Sequence, residues 1–256
     1  MFTLARARRA MGDAGEPLPP VFRTLAARDF HFRRGQLVAV AAGPGVGKSI
    51  LSQNIAQRSR CPTLYFSADS DAFTMYLRGA AIATGHNMKD IERSVNAGQA
   101  TYYDNALNAI QHIRYDYNPS PNADDIDEAV DAFALVYGEY PHLIVIDNLK
   151  NVDADDLAET NKIEAVMLFL KTLAHRTNSC VVMLHHLTGQ YTDGKTMPPM
   201  SALIDKVDKI PEGILMLWIP GHGSLGVNVV KNRTGERDVQ VYLEYAPAYA
   251  RLEDLK

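Results

Sequence analysis

The 256 residues predict an α/β domain with a mostly parallel central sheet, flanking helices and a C-terminal antiparallel extension. Three observations predict it. Short runs nearly continuous in Val, Ile and Leu recur along the chain, as strands buried on both faces of a parallel sheet require. Segments with helical spacing lie between them, and this alternation implies right-handed crossovers. From Ile214 onward tight turns replace the helices, which reads as an antiparallel addition.

The runs expected as strands are Leu37–Ala41, Thr63–Phe66, Leu143–Ile146, Val181–Leu184, Ile214–Ile219 and Val227–Val230. Ile126, Ala129, Val130, Phe133 and Tyr137 share one helical face behind Asn122 and an acidic first turn, so a capped helix is expected there. Ile163, Val166, Met167, Leu170 and Leu173 repeat the spacing. The turns PGHG and RTGE separate the last strands. At the other end, GDAGEPLPP (Gly12–Pro20) reads as a linker, dividing the chain into a basic N-terminal segment with linker, 1–20, and one core, 21–256. The piece MFTLARARRAM is amphipathic and arginine-rich, but it lacks serine and runs into Asp13 and Glu16. It reads as a short helix packing on a neighbouring subunit and not as a transit peptide.

Composition narrows the function classes. A formal charge of -4 argues against a surface coated in positive charge for scanning duplex nucleic acid, while leaving room for a local basic groove. No uninterrupted apolar stretch approaches the roughly 18 residues a membrane span needs, so a soluble, cytoplasmic protein is expected. The two cysteines, Cys61 and Cys180, sit in apolar runs and read as buried thiols of a reducing compartment.

The chemistry concentrates in AGPGVGKS, Ala42 to Ser49, which fits the phosphate-binding loop with Ala42 where glycine is more usual. Gly43, Pro44, Gly45, Val46 and Gly47 form the loop, and Ile50 continues the helix that follows. The three glycines let successive N–H groups turn inward around a β-phosphate, and the helix presents its positive end to the same anion. Lys48 neutralises β- and γ-phosphate oxygens, and Ser49 offers a hydroxyl to Mg²⁺. The second expected metal ligand is Asp147, closing the run HLIVID. Hydrolysis also needs a group that orients and deprotonates water. Position 148 is Asn, so that carboxylate must come from elsewhere, and Asp69 in LYFSADSD is the candidate. The plainer alternative is that Asp69 or Ser70 caps the next helix.

From about Phe32 to Val241 these residues resemble the RecA-like ATPase core of DnaB-type replicative helicases. Members carry FS-x-E after the phosphate-loop helix, with the glutamate acting on the attacking water. FSAD puts Asp69 there, one methylene shorter, which implies a slower basal rate. The resemblance also implies that His186, in LHHLTG, senses the γ-phosphate where the family often has glutamine. IDKVDKIPEGILMLW is similar to the stretch leading into a late core strand. KNRTGE resembles the lysine-x-arginine-x-glycine segment by which one subunit reaches the nucleotide of the next. Lys231 and Arg233 would then contact a γ-phosphate in trans, against the alternative of a solvated charged hairpin.

What the family resemblance implies beyond this is ATP and Mg²⁺ as cofactors, a hexameric ring, and single-stranded DNA held in its channel by loops at Leu149–Glu159 and Thr188–Ile204. Lys150, Tyr191 and Lys195 are the side chains expected to contact phosphates and bases. The first loop is acidic apart from Lys150, which counts against strong electrostatic binding. A loader, primase or polymerase would be the replication partners, although the N-terminal segment is too short for the separate helical domain of full-length bacterial helicases. The expectation is therefore the compact form encoded by phages and plasmids. Two other readings stay open: a RecA- or RadA-type recombination ATPase, and a non-motor RecA-like ring that controls protein assembly.

Overall fold

A computed structural model of the chain describes residues 15–155, 161–187, 189–203 and 207–255. The helix expected within MFTLARARRAM and parts of both expected DNA loops, 156–160, Thr188 and 204–206, lie outside the described residues. The helices are α1 (Arg23–Ala26), α2 (Lys48–Ser59), α3 (Ala72–Thr84), α4 (Met88–Asn96), α5 (Thr101–Asn108), α6 (Ala123–Tyr137) and α7 (Lys162–Thr177). The strands are β1 (Leu37–Ala42), β2 (Thr63–Ser67), β3 (Ile113–Asp116), β4 (Leu143–Asp147), β5 (Cys180–His186), β6 (Gly213–Gly221), β7 (Ser224–Asn232), β8 (Val239–Ala246) and β9 (Arg251–Asp254).

They form one sheet in the order β3-β2-β4-β5-β1-β6-β7-β8-β9. The pairings from β3 to β6 are parallel, and those from β6 to β9 antiparallel, so the expected architecture is the one observed. β1 shows why the apolar runs are continuous. Val38, Val40 and Ala42 join the core on one face, and Leu37, Ala39 and Ala41 join the core on the other. The first face is covered by α2 and α3–α5, through Leu51, Ile55, Met75, Ile91 and Tyr103. The second is covered by α6 and α7, through Ile126, Val130, Phe133, Val166, Met167 and Leu170.

Parallel strands separated by crossovers bring their carboxyl ends to one edge, where ligands of open α/β sheets bind. The ends of β1, β2, β4 and β5 therefore meet there. Two strands carry no expectation from the sequence, β3 (IRYD) and β9 (RLED). Each is a short edge element with one fully buried residue, too little apolar signal to mark it. Among the described residues no helix is long and apolar enough to cross a membrane.

The cap expected at Asn122 is a capping box. Asp125 N donates to Asn122 Oδ1 at 2.8 Å, and Asn122 N donates back to Asp125 Oδ2 at 3.0 Å. Asn122→Ala is expected to lower stability by about 1 kcal/mol. Urea unfolding checks this as a lower midpoint at unchanged slope.

Candidate active site

The chain leaves β1 at Ala42 and turns through Gly43–Gly47 into α2. Gly47 stands at φ +121°, where a side chain is strained, and a Cβ there would come within 2.9 Å of Tyr245 Oη. Gly43 passes so close to Thr192 that a Cβ would lie 2.2 Å from its carbonyl oxygen. With Gly47 at the N-cap, no side chain takes the leading N–H groups of α2, so they are available to an anion.

Lys48 is buried, and its Nζ donates to the carbonyls of Ala42 and Gly43, each at 3.0 Å. The same Nζ lies 3.2 Å from Nδ1 of His186. An ammonium can only donate, so Nδ1 accepts and the imidazole proton belongs on Nε2. Nε2 faces Asp69 Oδ2 at 3.7 Å. Burial, reinforced by the Lys48 charge, holds His186 below the usual imidazole range despite Asp69 and Asp147, so the ring is neutral at pH 7. Burial also brings Lys48 from 10.5 down to about 8, opposed by Asp147 and Asp69.

Asp147, at the tip of β4, is buried, and burial pushes its carboxyl up while hydrogen bonds from Ser49 and Tyr65 pull it back. Tyr65 Oη donates to Asp147 Oδ2 at 3.0 Å, and Ser52 Oγ lies 2.8 Å from Tyr65 Oη. Ala68 N and Asp69 N donate to the Asp147 carbonyl at 2.9 and 3.1 Å, which ties the end of β2 to the end of β4. Asp69 is thereby held over the loop with its side chain 46% exposed. The helix cap is a different residue: Thr74 N donates to Asp71 Oδ1 at 2.9 Å, so neither Asp69 nor Ser70 caps α3.

The phosphate loop, Asp69 and His186 line a cleft of about 260 Å³. Two lining residues carry no expectation from the sequence. Arg78, the one basic residue of α3, donates to Ser70 Oγ at 3.1 Å, and its place a turn and a half into the helix after FSADSD was the available signal. Tyr245 arrives on β8 from nearly 200 residues away, and no local pattern marks it.

Lys231 and Arg233 are elsewhere. Lys231 pairs with Ile214, which pairs with Ala39, and Asn232 pairs with Gly213, which pairs with Val38. Arg233 therefore stands near the start of β1, roughly 15 Å along the strand from the chain's own phosphate loop at about 3.3 Å per residue. Its side chain is 70% exposed and meets Glu212 Oε1 at 3.3 Å. Lys231 Nζ donates to the carbonyls of Asp208 and Lys209 at 2.8 and 3.2 Å, and burial lowers its pKa. Of the expected DNA contacts, Lys150 and Lys195 are exposed, whereas Tyr191 packs half-buried against the second apolar core.

This fold and cleft define the class, a RecA-like domain of the phosphate-loop type. The chain belongs to the DnaB-like helicase C-terminal domain family, whose sequence model matches residues 18–254. It is 39% identical over 247 residues to the gene 65 protein of Mycobacterium phage L5, covering 93% of this chain and 91% of that protein. The gene 65 protein of Mycobacterium phage D29 is 38% identical over 213 residues, covering 79% and 90%. Among solved structures, an isolated ATPase domain superposes with a TM-score of 0.83 at 16% identity, covering 99% of this chain and 96% of that one. A DnaB-like replicative helicase, solved with its interactions with primase, gives 0.83 at 16% identity, covering 99% and 65%. The RadB recombinase gives 0.62 at 13% identity, covering 93% and 100%.

The lowered pKa of Lys48 makes nucleotide binding pH-dependent. Above about 8 the empty cleft loses its ammonium, so the nucleotide must bind together with a proton and affinity falls as pH rises. Titrations between pH 7 and 9.5 should show this decline in the wild-type chain and a much flatter profile in Lys48→Arg, whose charge persists.

Proposed function

We propose that the protein is an ATP-hydrolysing, ring-forming translocase on single-stranded DNA that unwinds duplex during replication. The observation that carries this reading is a division of parts: the cleft holds the groups needed to bind a nucleotide and orient water, while the candidate finger lies at the far end of the sheet. A chain so built needs a second copy.

In this mechanism the α2 N-terminus and Lys48 bind the β- and γ-phosphates. Ser49 and Asp147 are hard oxygen donors placed side by side, which fits Mg²⁺ held by one carboxylate, one hydroxyl and the nucleotide. Among the described residues no cluster of three or more His, Cys, Asp or Glu is gathered to hold a metal without it. The ion, when bound, neutralises charge on the phosphates. Tyr65 orients the Asp147 carboxylate, and Asp69 accepts the proton of the attacking water. His186 contacts Lys48 and leads into the segment carrying Tyr191 and Lys195, so a change at the γ-phosphate has a direct route to that segment. Arg233, with Lys231 beside it, completes the cleft of the adjacent copy in a ring, read as hexameric. Lys150 and Lys195 are the exposed cations offered to the DNA backbone. A primase-type partner is proposed by analogy with the structural neighbour above.

ATP turnover should rise several-fold on adding single-stranded DNA, with Lys48→Ala as the blank. Turnover indifferent to DNA would move the reading to a non-motor ring. Arg233→Ala should abolish turnover while nucleotide still binds, and mixing it with Lys48→Ala should restore activity, because each chain supplies what the other lacks. No restoration at any mixing ratio would rule out the finger in trans.

A further inference from the structure

One buried carboxylate is not used by the cleft. Glu212 precedes β6 with its side chain only 5% exposed, an environment that tolerates a carboxylate when its charge is matched and its lone pairs are taken. Oε2 accepts from Leu37 N at 3.0 Å, at the first residue of β1. Oε1 meets Lys171 Nζ at 2.7 Å and Arg233 Nη1 at 3.3 Å. The backbone repeats the arrangement: Glu212 N donates to Leu37 O at 2.9 Å, and Arg233 N donates to Glu212 O at 3.1 Å.

Glutamine would satisfy Leu37 N as well as glutamate does, so the hydrogen bond to β1 does not explain the charge. The two cations do. Lys171 on α7, 29% exposed, makes the shorter contact and can neutralise the carboxylate by itself. Arg233 is the additional partner, held at one nitrogen while its side chain stays 70% exposed. An arginine with that much solvent around it would otherwise sample many rotamers, and an exposed pair alone would restrain it little. Here the acceptor is immobile, fixed to β1 through two hydrogen bonds.

We propose that Glu212 is a positioning residue for Arg233, aiming the guanidinium outward from the start of β1 toward the nucleotide of an adjacent copy. This rests on the reading of Arg233 as a residue given in trans. Glu212 itself touches neither nucleotide nor water.

The test uses mixed assemblies, with Arg233→Ala plus Lys48→Ala as the reference. Replacing the second chain by the double variant Lys48→Ala/Glu212→Gln supplies an Arg233 without its carboxylate. Restored kcat should fall about tenfold or more with the KM for ATP unchanged, since misplacing a catalytic group by an ångström is that costly. In the opposite arrangement, Glu212→Gln supplies the cleft and Lys48→Ala supplies the finger, and restoration should equal the reference. That asymmetry is what a merely structural defect would not produce. Equal restoration in both arrangements overturns the proposal, and so does failure in both, which would place the defect in the fold. Failure of the reference mixture would instead remove the trans reading beneath it. If Glu212→Gln does not fold, Glu212→Asp takes its place, keeping the charge but withdrawing it by one methylene. The same asymmetry is then expected, and its absence overturns the proposal.

Discussion

A lysine ammonium buried at the end of β1 is the constraint around which the cleft is arranged. Taking Lys48 from 10.5 to about 8 corresponds to about 3 kcal/mol of preference for the neutral form. The surroundings respond in kind: two carbonyls at 3.0 Å accept its protons, a neutral imidazole stands where a cation would repel it, and Asp69 and Asp147 supply opposite charge. These groups come from β1, β2, β4 and β5, so the lysine can be accommodated only if the sheet order brings those strand ends together. A bound polyphosphate would meet the same need more strongly, which is why such a lysine is poised for an anion.

The sheet also separates two functions by its length. Its carboxyl edge carries the phosphate loop, and the start of β1 carries Glu212 and Arg233. A finger roughly 15 Å away along a rigid strand, at about 3.3 Å per residue, cannot fold back onto its own nucleotide. On the proposed reading the contact between copies is head to tail, one surface presenting the cleft and a different surface presenting the arginine. Contacts of that kind close into rings when the rotation between copies permits.

Much of this was legible in the sequence because the relevant signals are local. AGPGVGKS, the strand ending at Asp147 and the FSAD segment each announce themselves within a few residues. What was not legible depends on tertiary contact. Asp69 and Asp71 are both plausible caps by residue type, and only the hydrogen bond to Thr74 N separates them. Lys231 and Arg233 look equivalent in KNRTGE, yet Lys231 is committed to two carbonyls while Arg233 remains exposed. Glu212 lies in KIPEGILML, where nothing nearby shows that a carboxylate will be buried beneath Leu37, Lys171 and Arg233. Tyr245 reaches the phosphate loop only because β8 joins the antiparallel end of the sheet.

The central claim is that the catalytic site is completed by a second copy of the chain. Its most direct test is ATP turnover per chain measured across chain concentration, with sedimentation of the same samples to report assembly. The account predicts turnover per chain that is negligible where single chains sediment and climbs to a plateau as assemblies form. Full turnover per chain from isolated single chains would contradict it.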